Sequence, residues 1–198
     1  MRYCRATTER PTMSPRRTFF HRATALALAG AASPVLASVA RTAPPAATPA
    51  GERRLAFQHL HTGERLALTY AVDDAYLPES LGALNRLLRD HYSGEVGVIE
   101  PTLLDQLHRL QQVLGSTGPF QVISGYRAPS TNARLRETRG GGVARRSLHM
   151  DGRAIDVRLP GVELAKLRDA ALALRAGGVG YYPREQFVHL DTGAVRRW

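Results

Sequence analysis

The chain predicts an α+β domain, a small and mainly antiparallel sheet with helices packed against one side. Two observations carry that expectation. Short strand-like runs at Ser147–Asp156, with Asp156 between Ile155 and Val157, and at Phe187–Asp191 alternate apolar and polar side chains with the period of a strand. Between and before them lie segments whose apolar residues recur at helical spacing, each closed by glycine.

In chain order, Leu55–Leu60 and Arg65–Tyr70 alternate around His61-Thr-Gly-Glu64 and predict a hairpin. Pro78–Tyr92 carries Leu81, Leu84, Leu87 and Leu88 on one face, with Gly94 as a stop. Pro101–Leu114 repeats the pattern through Leu103, Leu104, Leu107, Leu110 and Val113, ended by Gly115. Phe120–Ile123 reads as a short buried strand that delivers Ser124-Gly-Tyr-Arg127 at its end. Pro129–Arg139 reads as a short basic helix, and Gly140–Gly142 as a mobile lip over a cleft. Gly161–Arg175 predicts an amphipathic helix, Val179–Tyr182 and Phe187–Asp191 strands, and Ala194–Trp198 a segment that closes the sheet. His59, His61, His91 and His108 are expected to face solvent.

Composition narrows the function. The hydrophobic fraction is 43% and the charged fraction 22%, as in soluble globular proteins. Cys4 is the sole cysteine and lies upstream of an export signal, so disulfides and thiolate metal sites are excluded from the mature chain. The formal charge is +10, but six Arg against Glu9 before Ala40 account for half of it. The remaining Arg are scattered, without the interleaved aromatics that single-strand binding requires, so nucleic acid is not an expected partner.

Residues 1–40 are expected to form the export signal: Arg16-Arg17 precede an Ala/Leu-rich run over Ala23–Ala32 and small residues suited to cleavage. The run is too short for the roughly twenty residues of a membrane span. The paired arginines suggest twin-arginine export to the periplasm. Residues 41–52 read as a disordered leader rich in Pro and Ala, and residues 53–198 as the folded domain, expected to be a monomer.

The chemistry concentrates in Ser147-Leu-His-Met-Asp-Gly-Arg-Ala-Ile-Asp156 and Phe187-Val-His-Leu-Asp191. In each run an apolar face leaves one metal-type ligand on the other side of the strand. His149 and Asp156 reach a common point only if the chain turns back near Met150–Gly152, where Asp-Gly is turn chemistry. Two imidazoles and a carboxylate with one open position form the ligand set of a catalytic zinc site. Spacing alone is served equally well by histidines packed in ordinary strands.

Ser124-Gly-Tyr-Arg127, then Ser147-x-His149-x2-Gly152-x-Ala154-x-Asp156, then His189 resembles the D-Ala-D-Ala carboxypeptidase/VanX-type zinc peptidases, and within them the exported murein endopeptidases. The resemblance covers residues 53–198 and implies a hedgehog/DD-peptidase-like zinc fold. It also implies that His149, Asp156 and His189 bind Zn2+, that Arg127 sits beside the scissile bond, and that the substrate is peptidoglycan. Tyr126 and Ser147 are candidate substrate-binding residues, Tyr126 more for packing than chemistry. Water activated by the zinc would attack a stem-peptide carbonyl, with Arg127 stabilising the oxyanion.

One position departs from the wider family. Where relatives often carry an acid three residues before the last zinc histidine, this chain has Gln186. Asp191 is the first candidate for general acid/base and Glu185 the second; Asp191 serves equally well as a carboxylate that orients a ligand. A D,D- or L,D-carboxypeptidase and an inactive wall-binding module are the alternative functions.

Overall fold

A computed structural model describes residues 51–138 and 142–198. The expected export signal, nearly all of the expected leader, and Gly140–Gly141 of the expected lip lie outside the described residues. Among the described residues no helix is long and apolar enough to cross a membrane.

Eight strands form one mixed sheet: β1 Glu52–His59, β2 Arg65–Val72, β3 Ala75–Tyr76, β4 Phe120–Ser124, β5 Ala154–Arg158, β6 Gly178–Tyr182, β7 Phe187–Asp191 and β8 Arg196–Arg197. Their order is β3-β2-β1-β4-β5-β7-β6-β8. Five of the seven pairings are antiparallel, while β1–β4 and β6–β8 run parallel. The α+β class and the antiparallel bias agree with the sequence. The β1–β4 contact is parallel because β4 returns beside β1 after two intervening helices, which no local pattern encodes, and β6–β8 is parallel because antiparallel β7 intervenes in the chain.

The helices are α1 Pro78–Leu87, α2 Pro101–Leu114, α3 Pro129–Thr138 and α4 Leu164–Leu174. Leu84 and Leu87 of α1, Leu103, Leu104, Leu107 and Leu110 of α2, and Leu167 and Ala171 of α4 are buried. They share one core with Phe57, Phe120, Val122, Ile155, Val157, Val188 and Leu190 of the sheet. Apolar burial of this kind is the main favourable term for the domain. Because side chains alternate, the same strands turn Asp156, His189 and Asp191 to the opposite face.

Two helices are shorter than their patterns. α1 stops at Leu87 rather than Tyr92 because the Leu88 carbonyl accepts Tyr126 N–H (2.8 Å), and Asp90 then caps the following turn through Tyr92 N–H (2.8 Å). α4 begins at Leu164, after a turn in which Gly161 has φ +82°. Three histidines also differ from expectation. His59 is fully buried at the end of β1, and His91 and His108 are half-buried. His91 stacks on exposed His61 with ring centres 4.1 Å apart and meets His59 at 5.5 Å. Helical spacing placed His91 and His108 on polar faces, and the neighbouring glycine turn placed His59 toward solvent, but contacts between separate segments cover them.

Candidate metal centre

The strand expected from Ser147 onward forms only at Ala154. Before it, Leu148–Asp151 makes a single 3-10 turn, closed by Gly152 in the left-handed region (φ 66°). Any Cβ at Gly152 would run into the carbonyl of Val98, so conformation and space both demand glycine. This turn brings His149 back over β5, as the Asp-Gly spacing requires.

A register row then assembles the centre. Ser124 of β4 pairs with Asp156 of β5, Asp156 with His189 of β7, and His189 with Gly180 of β6. His149 Nε2, Asp156 Oδ1 and His189 Nδ1 converge: 3.2 Å separates the two nitrogens, 3.3 Å His149 from Asp156, and 2.8 Å His189 from Asp156. All three residues are buried, and among the described residues they are the group of His, Cys, Asp and Glu side chains able to hold one ion.

The outer nitrogens explain why these atoms need a cation. His149 Nδ1 lies 2.7 Å from the Gly125 carbonyl, which can only accept, so that nitrogen carries the proton. His189 Nε2 lies 3.1 Å from Asp191 Oδ2 and donates to it. In the neutral rings the inner nitrogens are therefore bare lone pairs, facing each other and a carboxylate oxygen. A proton or a metal must lie among them. Ligands bonded to zinc at about 2.05 Å in a tetrahedron are about 3.3 Å apart; the 3.2 and 3.3 Å separations fit that ion, and the 2.8 Å His189–Asp156 contact is a direct hydrogen bond that would open to admit it.

Electrostatics agree. Burial alone would raise the Asp156 carboxyl, yet the charge and hydrogen bond of His149 and the hydrogen bond of His189 hold it well below the ordinary range. Burial opposes protonation of His189, but hydrogen bonds to Asp156 and Asp191 prevail and lift it to about 9. Without metal, one proton occupies the trap.

Arg127 reaches the same cleft. Its backbone N–H donates to the His149 carbonyl (3.1 Å), and its guanidinium donates to Asn132 Oδ1 (3.3 Å) and Ser124 Oγ (3.5 Å). Asn132 also donates to the Ala144 carbonyl (3.0 Å), tying the arginine to the cleft wall. Asp90, buried, accepts from Ala128 N–H (2.8 Å) and fixes the loop behind Arg127. Asn132 and Asp90 escaped the sequence reading; only a polar residue set into the apolar face of a helix or helix end hinted at them.

The remaining candidates separate. Ser147 lines the cleft. Tyr126 is directed away from chemistry, its hydroxyl donating to Glu95 (2.9 Å). Asp191 is fully buried beneath His189, where Gly178 N–H, Gly193 N–H and Arg196 also bind its carboxylate. Burial alone would raise its carboxyl, but the His189 hydrogen bond and these backbone donors hold it well below the usual carboxylate range. Glu185 is exposed on the β6–β7 turn and is not brought to the cleft; Gln186, in the left-handed region (φ 60°), folds its amide onto the Pro183 carbonyl.

The cleft measures about 400 Å³, and Gly142, Val143, Leu148, Tyr182, Phe187 and Trp198 form much of its wall. A buried His-Asp-His group able to hold a metal ion, lining an open cleft on an α+β scaffold, is the ligand set that metallohydrolases use. The family described as peptidoglycan L,D-endopeptidase MepK matches residues 47–198, and the chain belongs to that family. It is 47% identical over 146 residues to peptidoglycan L,D-endopeptidase MepK of Escherichia coli K12, covering 74% of this chain and 80% of that protein. It is 42% identical over 147 residues to the probable MepK of Haemophilus influenzae, covering 74% and 78%. No solved structure matches the chain significantly.

Proposed function

We propose that the chain is a zinc-dependent murein peptidase that cuts amide bonds in peptidoglycan stem peptides or cross-links, with the L,D-endopeptidase activity its relatives' names carry. The observation behind this reading is the convergence of three ligand-type atoms within 3.3 Å, each outer imidazole nitrogen already engaged.

His149, Asp156 and His189 would hold the zinc. When bound, zinc supplies Lewis acidity, bringing the acidity of a coordinated water from about 15.7 to about 7. Arg127 binds the substrate carbonyl side and stabilises negative charge as it develops, since a guanidinium offers several fixed N–H donors and stays charged. Asp191 orients His189 by taking its Nε2–H; its burial and four partners support that role over proton exchange with substrate. Ser147 contributes to the substrate wall, and Tyr126 braces the Arg127 loop through Glu95. The fold belongs to the hedgehog/DD-peptidase-like zinc group, supported by the order of ligands along the chain. The protein acts as a monomer, since one chain supplies the whole centre, and works in the periplasm after twin-arginine export, which suits the paired arginines at 16–17 and a wall substrate.

Metal content of wild type and His149→Ala, measured beside product masses from defined muropeptides, tests the reading. One equivalent of zinc lost in the variant, with internal stem or cross-link bonds cut by wild type, is expected. Release of free D-alanine alone would identify a carboxypeptidase, and bound zinc without products a wall-binding module.

A further inference from the structure

Proton delivery to the leaving amine is unassigned in the site described above. Once the three ligands are set aside, the described residues that line the cleft include no carboxylate. Asp191 lies behind His189 with its oxygens occupied, and Glu185 is on an exposed turn. Two hydroxyls remain on the wall, those of Ser147 and Tyr182.

Tyr182 is set up in a specific way. It pairs with Phe187 in the β6–β7 ladder, and Gly180 pairs with His189, so Tyr182, Gly180 and His189 share the metal face. Gly180 has no side chain there, and a Cβ would collide with the Trp198 indole. The indole fills that space, its ring centre 5.2 Å from the His189 ring. From this position its Nε1–H donates to the Tyr182 oxygen at 2.7 Å. Phe187 fixes the phenol ring from the other side, stacked at 4.5 Å. An indole N–H can only donate. It therefore occupies a lone pair of the phenol oxygen and leaves the O–H free to point to a different acceptor.

We propose that Tyr182 is a catalytic residue, the hydroxyl that protonates the leaving nitrogen, with Trp198 as its positioning residue. The inference rests on the peptidase reading. Water adds to the carbonyl carbon, the C–N bond breaks, and the nitrogen departs with the Tyr182 proton. The phenolate recovers the proton that the attacking water released. One water is consumed and one amide bond is cut.

Tyr182→Phe tests this directly on a defined muropeptide and on the matching substrate with an ester at the scissile position. A positioned general acid contributes about 10²–10⁴-fold, so kcat on the amide should fall by at least about a hundredfold with KM nearly unchanged. On the ester, whose alkoxide leaving group needs less help from an acid, the loss should shrink about tenfold or more. Trp198→Phe should give a smaller kcat defect of the same kind, and Ser147→Ala should retain wild-type leaving-group dependence. Circular dichroism and zinc content matching wild type exclude misfolding. Equal losses on amide and ester, or a Tyr182→Phe kcat within about twofold of wild type, overturn the proposal while the peptidase reading stands. A wild type that cuts neither substrate removes both.

Discussion

His189 turns Nδ1 rather than Nε2 toward Asp156, because Asp191, two residues on in the same strand, holds Nε2 at 3.1 Å. The residues share a strand face by alternation, and Arg196 (2.7 Å) with two backbone N–H groups fixes the carboxylate beneath the ring. The nitrogen turned toward Asp156 and His149 is thus chosen by a buried group that does not line the cleft.

Removing that group should weaken the site without abolishing it. Asp191→Asn is expected to lower zinc affinity about 10–100-fold, measured by competition with a chromogenic chelator. Activity should return toward wild type as zinc is raised to saturation. Activity lost at every zinc level would place Asp191 in the proton-transfer step instead.

Zinc binding should depend on pH with a defined sign. His189 holds a proton up to about pH 9 in the metal-free protein, and that proton must leave when metal binds. Apparent affinity should therefore rise about tenfold per pH unit through neutral pH and level off above about 9. Chelator competition from pH 6 to 10 reads the slope; a flat profile would mean that His189 enters complexation already neutral.

His59 and His91, buried and half-buried respectively, predict acid lability. Burial, then the neighbouring His61, lowers both His59 and His91 to about 4. Their folded pKa values lie below the unfolded 6.5, so above that pH they change nothing. As pH falls from 6.5 toward 4 the unfolded chain gains protons that the folded chain refuses, and stability drops. The expected loss is about 2–4 kcal/mol between pH 7 and 4, read by urea denaturation. His59→Gln, of similar size and unable to titrate here, should flatten part of it.

Gly152→Ala should damage the centre through the backbone. The left-handed φ and the Val98 carbonyl together predict a loss of about 2–4 kcal/mol and displacement of His149. Thermal melting and zinc stoichiometry should change together; a stable variant with full zinc would show that the turn relaxes freely.

Arg127→Lys should keep the charge and still lose activity. Asn132 and Ser124 engage two different nitrogens of one planar fork, which an ammonium cannot reproduce. A fall in kcat of about 10²–10³-fold is expected, with zinc content unchanged.

Much of this protein is readable before any folding. Alternation in 154–157 and 187–191 settles which side chains enter the core and leaves Asp156 and His189 on one face, since period two is a property of the extended backbone. Apolar spacing marks the helices that cover the other face, and Asp-Gly at 151–152 marks the turn that returns His149. What those patterns could not carry is pairing between distant segments. The row Ser124–Asp156–His189–Gly180 exists only once β4, β5, β7 and β6 lie side by side. The burial of His59, the partners that occupy Asp191, and the indole seated over Gly180 are likewise contacts across long loops. Local sequence fixes the direction a side chain leaves the backbone; which groups it then meets depends on the whole chain closing, and that selects the proton on each imidazole.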